Sequence, residues 1–307
     1  RNKNKMVSTH DYQKDSRNKN IKIYIDGKYY SRSEAKVSVF ESGFLLGDGV
    51  WEGLRLHNGS ILHLNSHLER LYNGAKLLDI NLNLIKKDLK QILFKTIKLN
   101  EMYTDVHIRL IVSRGIKSTP YQSPAVTIGN PTLVVIPEFK KVNYDSINKG
   151  IKIATVKTIR DSRVQNHQIN SLSKHNCIAA CIEASKLEVD EALMLDPHGF
   201  VSTCNSTNFF MVKNREVWTS KGLHCLKGIT RQAVIRICKQ NKIIILEKNF
   251  KVSDVHDSDE AFVTGTFAGI IPVIEVDGIE KSNNRMGNIT RILQDLYKID
   301  MIKHAVN

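Results

Sequence analysis

The stretch IKIYIDGKYY, residues 21–30, decides the fold class. Apolar residues alternate up to Asp26-Gly27, a two-residue hairpin signal, and an aromatic pair resumes the strand beyond it. A second signal of the same kind, Asn58-Gly59, lies within residues 54–64. Hairpins of this type join antiparallel strands, so the sheet around them is antiparallel or mixed. Outward from this point, residues 22–40 read as strands and FLLGDGVW (44–51) as a glycine-punctuated turn. Asn65 is placed to cap a helix with apolar residues at 68, 71, 75 and 78. Residues 84–99 read as a second amphipathic helix, and 106–113 and 132–137 as strands.

The second half opens with a strand at 151–156 and a long polar loop at 159–170. A helix is expected at 172–187 and strands at 191–195 and 208–213, with the turn Asp196-Pro197-His198-Gly199 between them. A helix capped by Thr230 runs to 241. Strands follow at 242–247, 260–264 and 271–276, and a last helix at 288–298. No repeat of 20–50 residues is visible. The pattern is α+β. The expected organisation is a flexible basic extension over 1–20, an N-terminal α+β domain over 21–137, a polar linker over 138–150 and a C-terminal domain over 151–307.

Composition narrows the function. The chain has 307 residues, 41% hydrophobic and 25% charged, which suits a globular protein of about two domains. Its aliphatic complement excludes a disordered chain, and no run of about 18 apolar residues would span a membrane. Lys and Arg number 45 against 31 Asp and Glu, a formal charge of +14. Lysine is spread along the chain without a basic helix or aromatic-interleaved patch, which argues against nucleic acid. The surplus suits an anionic small molecule such as a phosphate ester. The first twenty residues carry six Lys or Arg against two Asp and only three apolar residues. They hold no apolar core of a secretory signal, and a leader with Arg and no Glu is compatible with organellar import. The expectation is an intracellular, cytoplasmic protein.

Five cysteines, Cys177, Cys181, Cys204, Cys225 and Cys238, form no CxxC. Cys177 and Cys181 are expected on one buried, reduced helix face. The eleven histidines show no zinc spacing, so no metal is expected. Three stretches next to apolar strands are rich in hydroxyl and glycine residues: Cys204-Asn205-Ser206-Thr207-Asn208, Lys227-Gly228-Ile229-Thr230-Arg231 and Thr264-Gly265-Thr266. Each can present backbone N–H groups and hydroxyls in a concavity, and the second opens a helix, where a phosphate sits well. The long loop ends in INSLSKHN (169–176), which puts Lys174 at a helix start, where an amine gains nucleophilic character.

These pieces together resemble the class IV aminotransferases, pyridoxal-phosphate enzymes of fold type IV that include branched-chain and D-amino-acid aminotransferases and aminodeoxychorismate lyase. The resemblance rests on YIDGKYYSRSEAKVSVFESGFLLGDGVWEGLR, HLNSHLERL, RLIVSRG, STNFFMV, LKGITR and DEAFVTGTFAGIIPVIEVDG, from about Ile23 to Leu296. It implies a small N-terminal α+β domain and a C-terminal pseudo-barrel domain with pyridoxal 5′-phosphate between them. It also implies a homodimer, and amino-acid and 2-oxo-acid substrates. By resemblance, Arg70 binds the cofactor phosphate, and Ser206, Thr207, Ile229, Thr230, Gly265 and Thr266 supply phosphate and ring contacts. Trp51 lines the substrate pocket, and Lys117 stands in for the Arg and His that hold the carboxylate in D-amino-acid enzymes.

Two positions depart from the family pattern. Asn170 occupies the position of the Schiff-base lysine, and an amide cannot form an imine. Lys174, four residues on, is the nearby amine; on a helix the two would share a face about 6 Å apart. Thr203 replaces the Glu that keeps the pyridine ring protonated, which leaves a weaker electron sink. The expected function is a class IV aminotransferase with Lys174 as a relocated catalytic lysine and Thr203 at the ring nitrogen. A lyase on the same cofactor and a catalytically lapsed binding protein stay open beside it.

Overall fold

The computed structural model describes residue 9 and residues 12–306. They fall into two units, each with its own sheet and core. One comprises Gln13–Lys141, Ile169–Lys174 and residues 304–306; the other comprises Val142–Gln168 and His175–Lys303, together with Thr9 and Tyr12. Both mix helices with sheet, so the fold is α+β.

The N-terminal unit is built on hairpins. Strands β1 (Lys22–Ile25) and β2 (Lys28–Ser31) pair around Asp26 (φ 45°) and Gly27 (φ 90°). Strands β3 (Gly49–His57) and β4 (Ser60–Leu62) pair around Asn58 (φ 48°) and Gly59 (φ 78°). Two positive φ values per turn match the right-handed twist of the flanking strands. With β5 (Val106–Ser113) and β6 (Thr132–Phe139) they form a seven-stranded antiparallel sheet ordered Ala305–Val306, β4, β3, β5, β6, β1, β2. Helices α1 (Leu64–Leu77) and α2 (Lys86–Leu99) bury Leu64, Leu68, Leu71, Leu89 and Leu93 against Leu54, Ile108 and Leu110 of the sheet.

The C-terminal unit carries a mixed sheet. Its strands are β7 (Ile151–Thr155), β8 (Glu191–Leu195), β9 (Val201–Cys204), β10 (Asn208–Lys213), β11 (Glu216–Thr219), β12 (Ile245–Glu247), β13 (Glu260–Gly265) and β14 (Gly269–Val276). They lie in the order β9, β8, β7, β14, β13, β10, β11, β12, with the short strand Ile279–Glu280 paired to β14. Helix α3 (His175–Lys186) packs on β8; α4 (Ile229–Gln240) and α5 (Asn288–Lys303) pack on each other and on β13. Strand β10 is apolar on both sides because both faces of the sheet are covered. Phe209 and Met211 enter one core cluster, while Phe210 and Val212 join Phe262, Leu293 and Tyr297 in another.

The structure revises several expectations. Residues 44–51 are not one turn: Ser42–Leu46 is a short helix that stops at Gly47 (φ 66°), and β3 begins at Gly49. Strand structure after the first hairpin ends at Ser31 rather than 40. Asn65 does not cap α1. The cap residue is His63, left-handed at φ 51°, and the Asn65 side chain accepts from Lys90 Nζ at 2.6 Å. Thr230 lies inside α4, whose cap is Gly228. Cys181 is exposed and Cys177 partly so, whereas Cys204, Cys225 and Cys238 are buried; all five are free thiols.

The expected extension over 1–20 falls partly outside the described residues. Of the rest, Ser16–Lys19 forms a 3-10 turn capped by Asp15, and the Asn18 side chain bonds both the N–H and the C=O of Phe139 at 2.8 Å. Those bonds satisfy backbone groups at the end of β6, which holds the segment down. The expected linker also carries structure: Phe139 ends β6, Tyr144–Ile147 makes one helical turn, and Val142 and Ile147 are buried in the C-terminal core.

Phe210 and Phe262 stack at 4.9 Å with nearly parallel rings, and both are fully buried. Phe262→Ala is expected to cost about 3–5 kcal/mol of stability, read from the urea midpoint at constant slope. A loss below about 1 kcal/mol would mean that the site collapses onto the gap.

Candidate active site

In the N-terminal unit, residues 169–174 return to the sheet and run beside the start of β3. Trp51 N–H donates to Asn170 O at 3.0 Å, Leu172 N–H donates to Gly49 O at 2.9 Å, and Val50 bridges Ser171. A Cβ at position 49 would sit 2.5 Å from Val112 O and 2.7 Å from Leu172 Cδ1, so the approach requires glycine. Asn170 is 6% exposed and its Nδ2 donates to Trp51 O at 2.7 Å. Backbone and side chain of Asn170 are therefore both fixed to Trp51, with the amide oxygen turned the other way. Lys174 Nζ donates to that oxygen at 3.1 Å. Neither residue lies in a helix, so the expected helix-face spacing is replaced by an irregular segment that makes the same juxtaposition.

Trp51 is the centre of this group. Its indole Nε1–H donates to Ser171 O at 3.2 Å, Lys174 Nζ stands 5.4 Å from the ring centroid, and the Arg109 guanidinium carbon stands 3.7 Å from it. Arg109 pairs across the sheet with Gly53, where a Cβ would lie 3.0 Å from His107 Nε2 and 3.5 Å from the Trp51 ring. Burial pulls the Arg109 pKa down, against a small opposing pull from Glu138. Arg109 did not stand out in the sequence; its signal was a cation in an alternating strand opposite a glycine.

Arg70 sits on α1 with its fork against Glu52. Nε and one terminal nitrogen each donate to a carboxylate oxygen at 2.7 Å, and His67 Nδ1 lies 2.7 Å from the same carboxylate. Glu52 is fully buried. Burial alone would raise its pKa, but Arg70 and His67 outweigh it and hold the carboxyl below the usual range. Lys117 differs from its expected carboxylate-holding position: it is 1% exposed and its Nζ donates to Ser123 O at 3.1 Å, within its own loop.

In the C-terminal unit the three hydroxyl- and glycine-rich stretches converge. A Cβ on Gly265 would lie 3.5 Å from Thr207 Cγ2, and one on Gly228 would lie 2.2 Å from Asn208 Oδ1. Asn208 pairs with Thr264 across the sheet and donates to Leu226 O at 2.9 Å. Thr230 Oγ1 lies 3.4 Å from the Tyr297 hydroxyl. Thr266 follows Gly265 in the turn between β13 and β14. The Thr203 hydroxyl is committed to its own loop: it donates to Thr207 O at 2.7 Å and lies 3.5 Å from Asn208 Nδ2.

Glu191 is the residue sequence reasoning missed here. It is 2% exposed at the start of β8 and accepts from the hydroxyls of Ser206, Thr207 (2.5 Å) and Thr9 (2.7 Å). Its signal was an acid opening the otherwise apolar run EALML. Burial raises its pKa, and the three hydroxyl donors only partly offset this.

The C-terminal group fits a phosphate monoester. The first N–H groups of α4, at Ile229 and Thr230, have no acceptor within the helix. Thr264 Oγ1 is buried with no hydrogen-bond partner among the described residues. An unpaired buried hydroxyl and helix amides without an intrahelical acceptor are groups that anionic oxygens would satisfy.

A family model described as amino-transferase class IV matches residues 49–276. The putative branched-chain-amino-acid aminotransferase of Methanocaldococcus jannaschii is 38% identical over 282 residues, covering 91% of this chain and 96% of that protein. Branched-chain-amino-acid aminotransferase-like protein 2 of Arabidopsis thaliana is also 38% identical over 282 residues, covering 92% of this chain. The chain spans about half the length of that relative, 50%. Among solved structures, the branched-chain aminotransferase of Thermoproteus uzoniensis with norvaline matches with a TM-score of 0.83 and 28% identity, over 93% of this chain and 98% of that one.

Burial raises the pKa of Glu191, and pushes that of its neighbour Asp190 up to about 6. An acid whose pKa is higher folded than unfolded binds its proton more tightly in the native state, so stability falls as pH rises from the unfolded value through the folded one. The urea midpoint should therefore fall between about pH 4 and pH 7. Glu191→Gln should be as stable as the native protein at pH 4.5 and gain on it as pH rises. A pH-independent difference would mean that Glu191 keeps its ordinary pKa.

Proposed function

The chain belongs to the class IV aminotransferase family, and from that premise we propose that it is a pyridoxal-phosphate-dependent aminotransferase. Its substrates on this reading are an amino acid and a 2-oxo acid, and its amine is Lys174. The observation that supports the reading is the 3.1 Å contact of Lys174 Nζ with Asn170 Oδ1, which sets an amine beside the residue that aligns, on this reading, with the family's lysine.

Pyridoxal phosphate, when bound, supplies the electron sink that lets an amino group be exchanged for an oxo group. The α4 amides at Ile229 and Thr230, with the Thr264 hydroxyl, would hold its phosphate. Gly228 and Gly265 keep side chains out of this cradle. Glu191 ties the hydroxyls of Ser206 and Thr207 inward, which fixes the loop from Cys204 and turns its backbone toward the ligand side. Thr203 brings a neutral hydroxyl where the family pattern has a carboxylate, so the chain does not supply a charge to protonate the ring nitrogen. In the N-terminal unit, Asn170 Oδ1 orients Lys174 Nζ for proton transfer, and the Trp51 face excludes water from one side of it. A homodimer and an intracellular, reducing compartment complete the reading; five free thiols, one of them exposed, support the compartment.

The test is reconstitution with pyridoxal phosphate, borohydride reduction and peptide mapping by mass spectrometry. A pyridoxyl label on Lys174, absent in Lys174→Ala, is expected. In Asn170→Lys the label should move to position 170, with a stronger visible absorbance band. No band and no labelled lysine in the native chain would overturn the aminotransferase reading and leave a non-covalent phosphate ligand in its place.

The Asn170 contact has its own expected outcome. Asn170→Ala removes one charge-assisted hydrogen bond and frees Lys174 to move, so borohydride labelling of Lys174 should slow by about tenfold, the equivalent of 1–2 kcal/mol. Unchanged labelling would show that contacts other than the Asn170 amide position the amine.

A further inference from the structure

The C-terminal unit holds a cavity of about 630 Å³ that the cofactor loops do not use. It lies along one flank of α5, lined there by Arg291, Gln294, Asp295 and Lys298. Lys149 and Asn148 on one side, and the turn carrying Asn284, Arg285 and Met286 on the other, flank it, and it opens to solvent. The opposite flank of α5 carries Leu293 and Tyr297 into the core, and Tyr297 is the residue that reaches Thr230. The cavity and the cofactor loops thus lie on different sides of the helix.

Its charge is one-sided. Four cations face one acid, and that acid, Asp295, is paired with Lys298 at 2.9 Å. The side chains of Lys149, Arg285 and Arg291 have no acidic partner among the described residues. The nearby Glu280 is turned to the Asn284 amide. Three uncompensated positive charges around a concavity concentrate a positive potential that only an anion would relieve.

The helix end does not provide the site. Glu260 accepts from Ile289 N–H at 3.0 Å, Thr290 N–H at 2.8 Å and Thr290 Oγ1 at 2.8 Å, so the first turn of α5 already has its carboxylate. An anion in the cavity must be held by side chains, and arginine forks suit phosphate oxygens. Arg291 and Lys298 lie seven residues apart, about 10 Å along the helix. That span matches a chain of two or three phosphates and is short for a nucleic-acid track. We propose that this cavity is a binding site for a polyphosphate, inorganic or carried on a nucleoside, separate from the cofactor loops.

Calorimetric titration of the full chain, first saturated with pyridoxal phosphate, tests this with tripolyphosphate, ATP and orthophosphate. One tripolyphosphate per chain should bind, and orthophosphate much more weakly. Arg285→Gln with Arg291→Gln should weaken tripolyphosphate at least about tenfold, whereas Lys76→Gln with Lys87→Gln, the same charge removed from the N-terminal unit, should change it less than about twofold. ATP binding more tightly than tripolyphosphate would assign Asn148, Asn284 and Gln294 to the organic group; equal affinity would assign the site to the phosphate chain alone. Equal losses in the two double variants would overturn the proposal in favour of net charge. Tripolyphosphate that binds only when the saturation with pyridoxal phosphate is omitted would place the anion in the cofactor loops and overturn it too. A twelve-nucleotide single strand that outcompetes tripolyphosphate would overturn it in favour of nucleic acid.

Discussion

The short ladder between Gly49–Trp51 and residues 170–172 is the constraint on which the N-terminal site depends. It takes a segment far along the chain and fixes it by backbone hydrogen bonds to the first residues of β3. Those bonds need a glycine at 49, because any side chain there would strike Val112 and Leu172. Once the ladder is made, Asn170 has no freedom: its carbonyl, its amide nitrogen and its burial are all set by Trp51. Lys174 follows, because its amine has an acceptor at a fixed place. The position of the amine is thus set by the backbone ladder around Asn170.

The C-terminal unit solves a different problem. On the proposed reading its loops hold an anion with backbone amides and hydroxyls. Glu191 makes this possible by taking the hydroxyl protons of the loop inward, which stiffens the loop, while α4 offers its first amides outward. The buried acid costs stability as it ionises, a cost tolerated because three hydroxyls share it. The division of labour on that reading is that side-chain hydroxyls build the loop, and the first amides of the helix are left for the ligand.

Much of this was legible in the sequence, and the parts that were not share a cause. Both hairpins were read from Asp26-Gly27 and Asn58-Gly59, whose positive φ values the structure contains. Strands at 106–113, 191–195 and 208–213 fall where periodicity and apolar runs put them. The three hydroxyl- and glycine-rich stretches do come together. Asn65 and Thr230 misled as caps because capping depends on the backbone at the preceding residues, here a left-handed His63 and an extended Gly228. Glu52 and Glu191 were invisible as site residues. An acid inside an apolar run has meaning only through partners distant in sequence, and neither Arg70 nor Thr207 announces which acid it will meet. The meeting of Lys174 and Asn170 was anticipated, but from helical geometry that the segment does not adopt.

The carboxylate shared by Arg70 and His67 sets a limit on how that arginine can be read. Glu52 is fully enclosed, and its two partners are what keep it ionised there. Removing the guanidinium would strand a charge in the core, which typically costs about 3–5 kcal/mol. Any ligand role of this side chain is therefore tied to its structural one, and a substitution at Arg70 would be read first as a loss of foldedness. An arginine held in this way is demanded by the buried carboxylate whatever lies beyond it, so its presence speaks for the scaffold before it speaks for the chemistry.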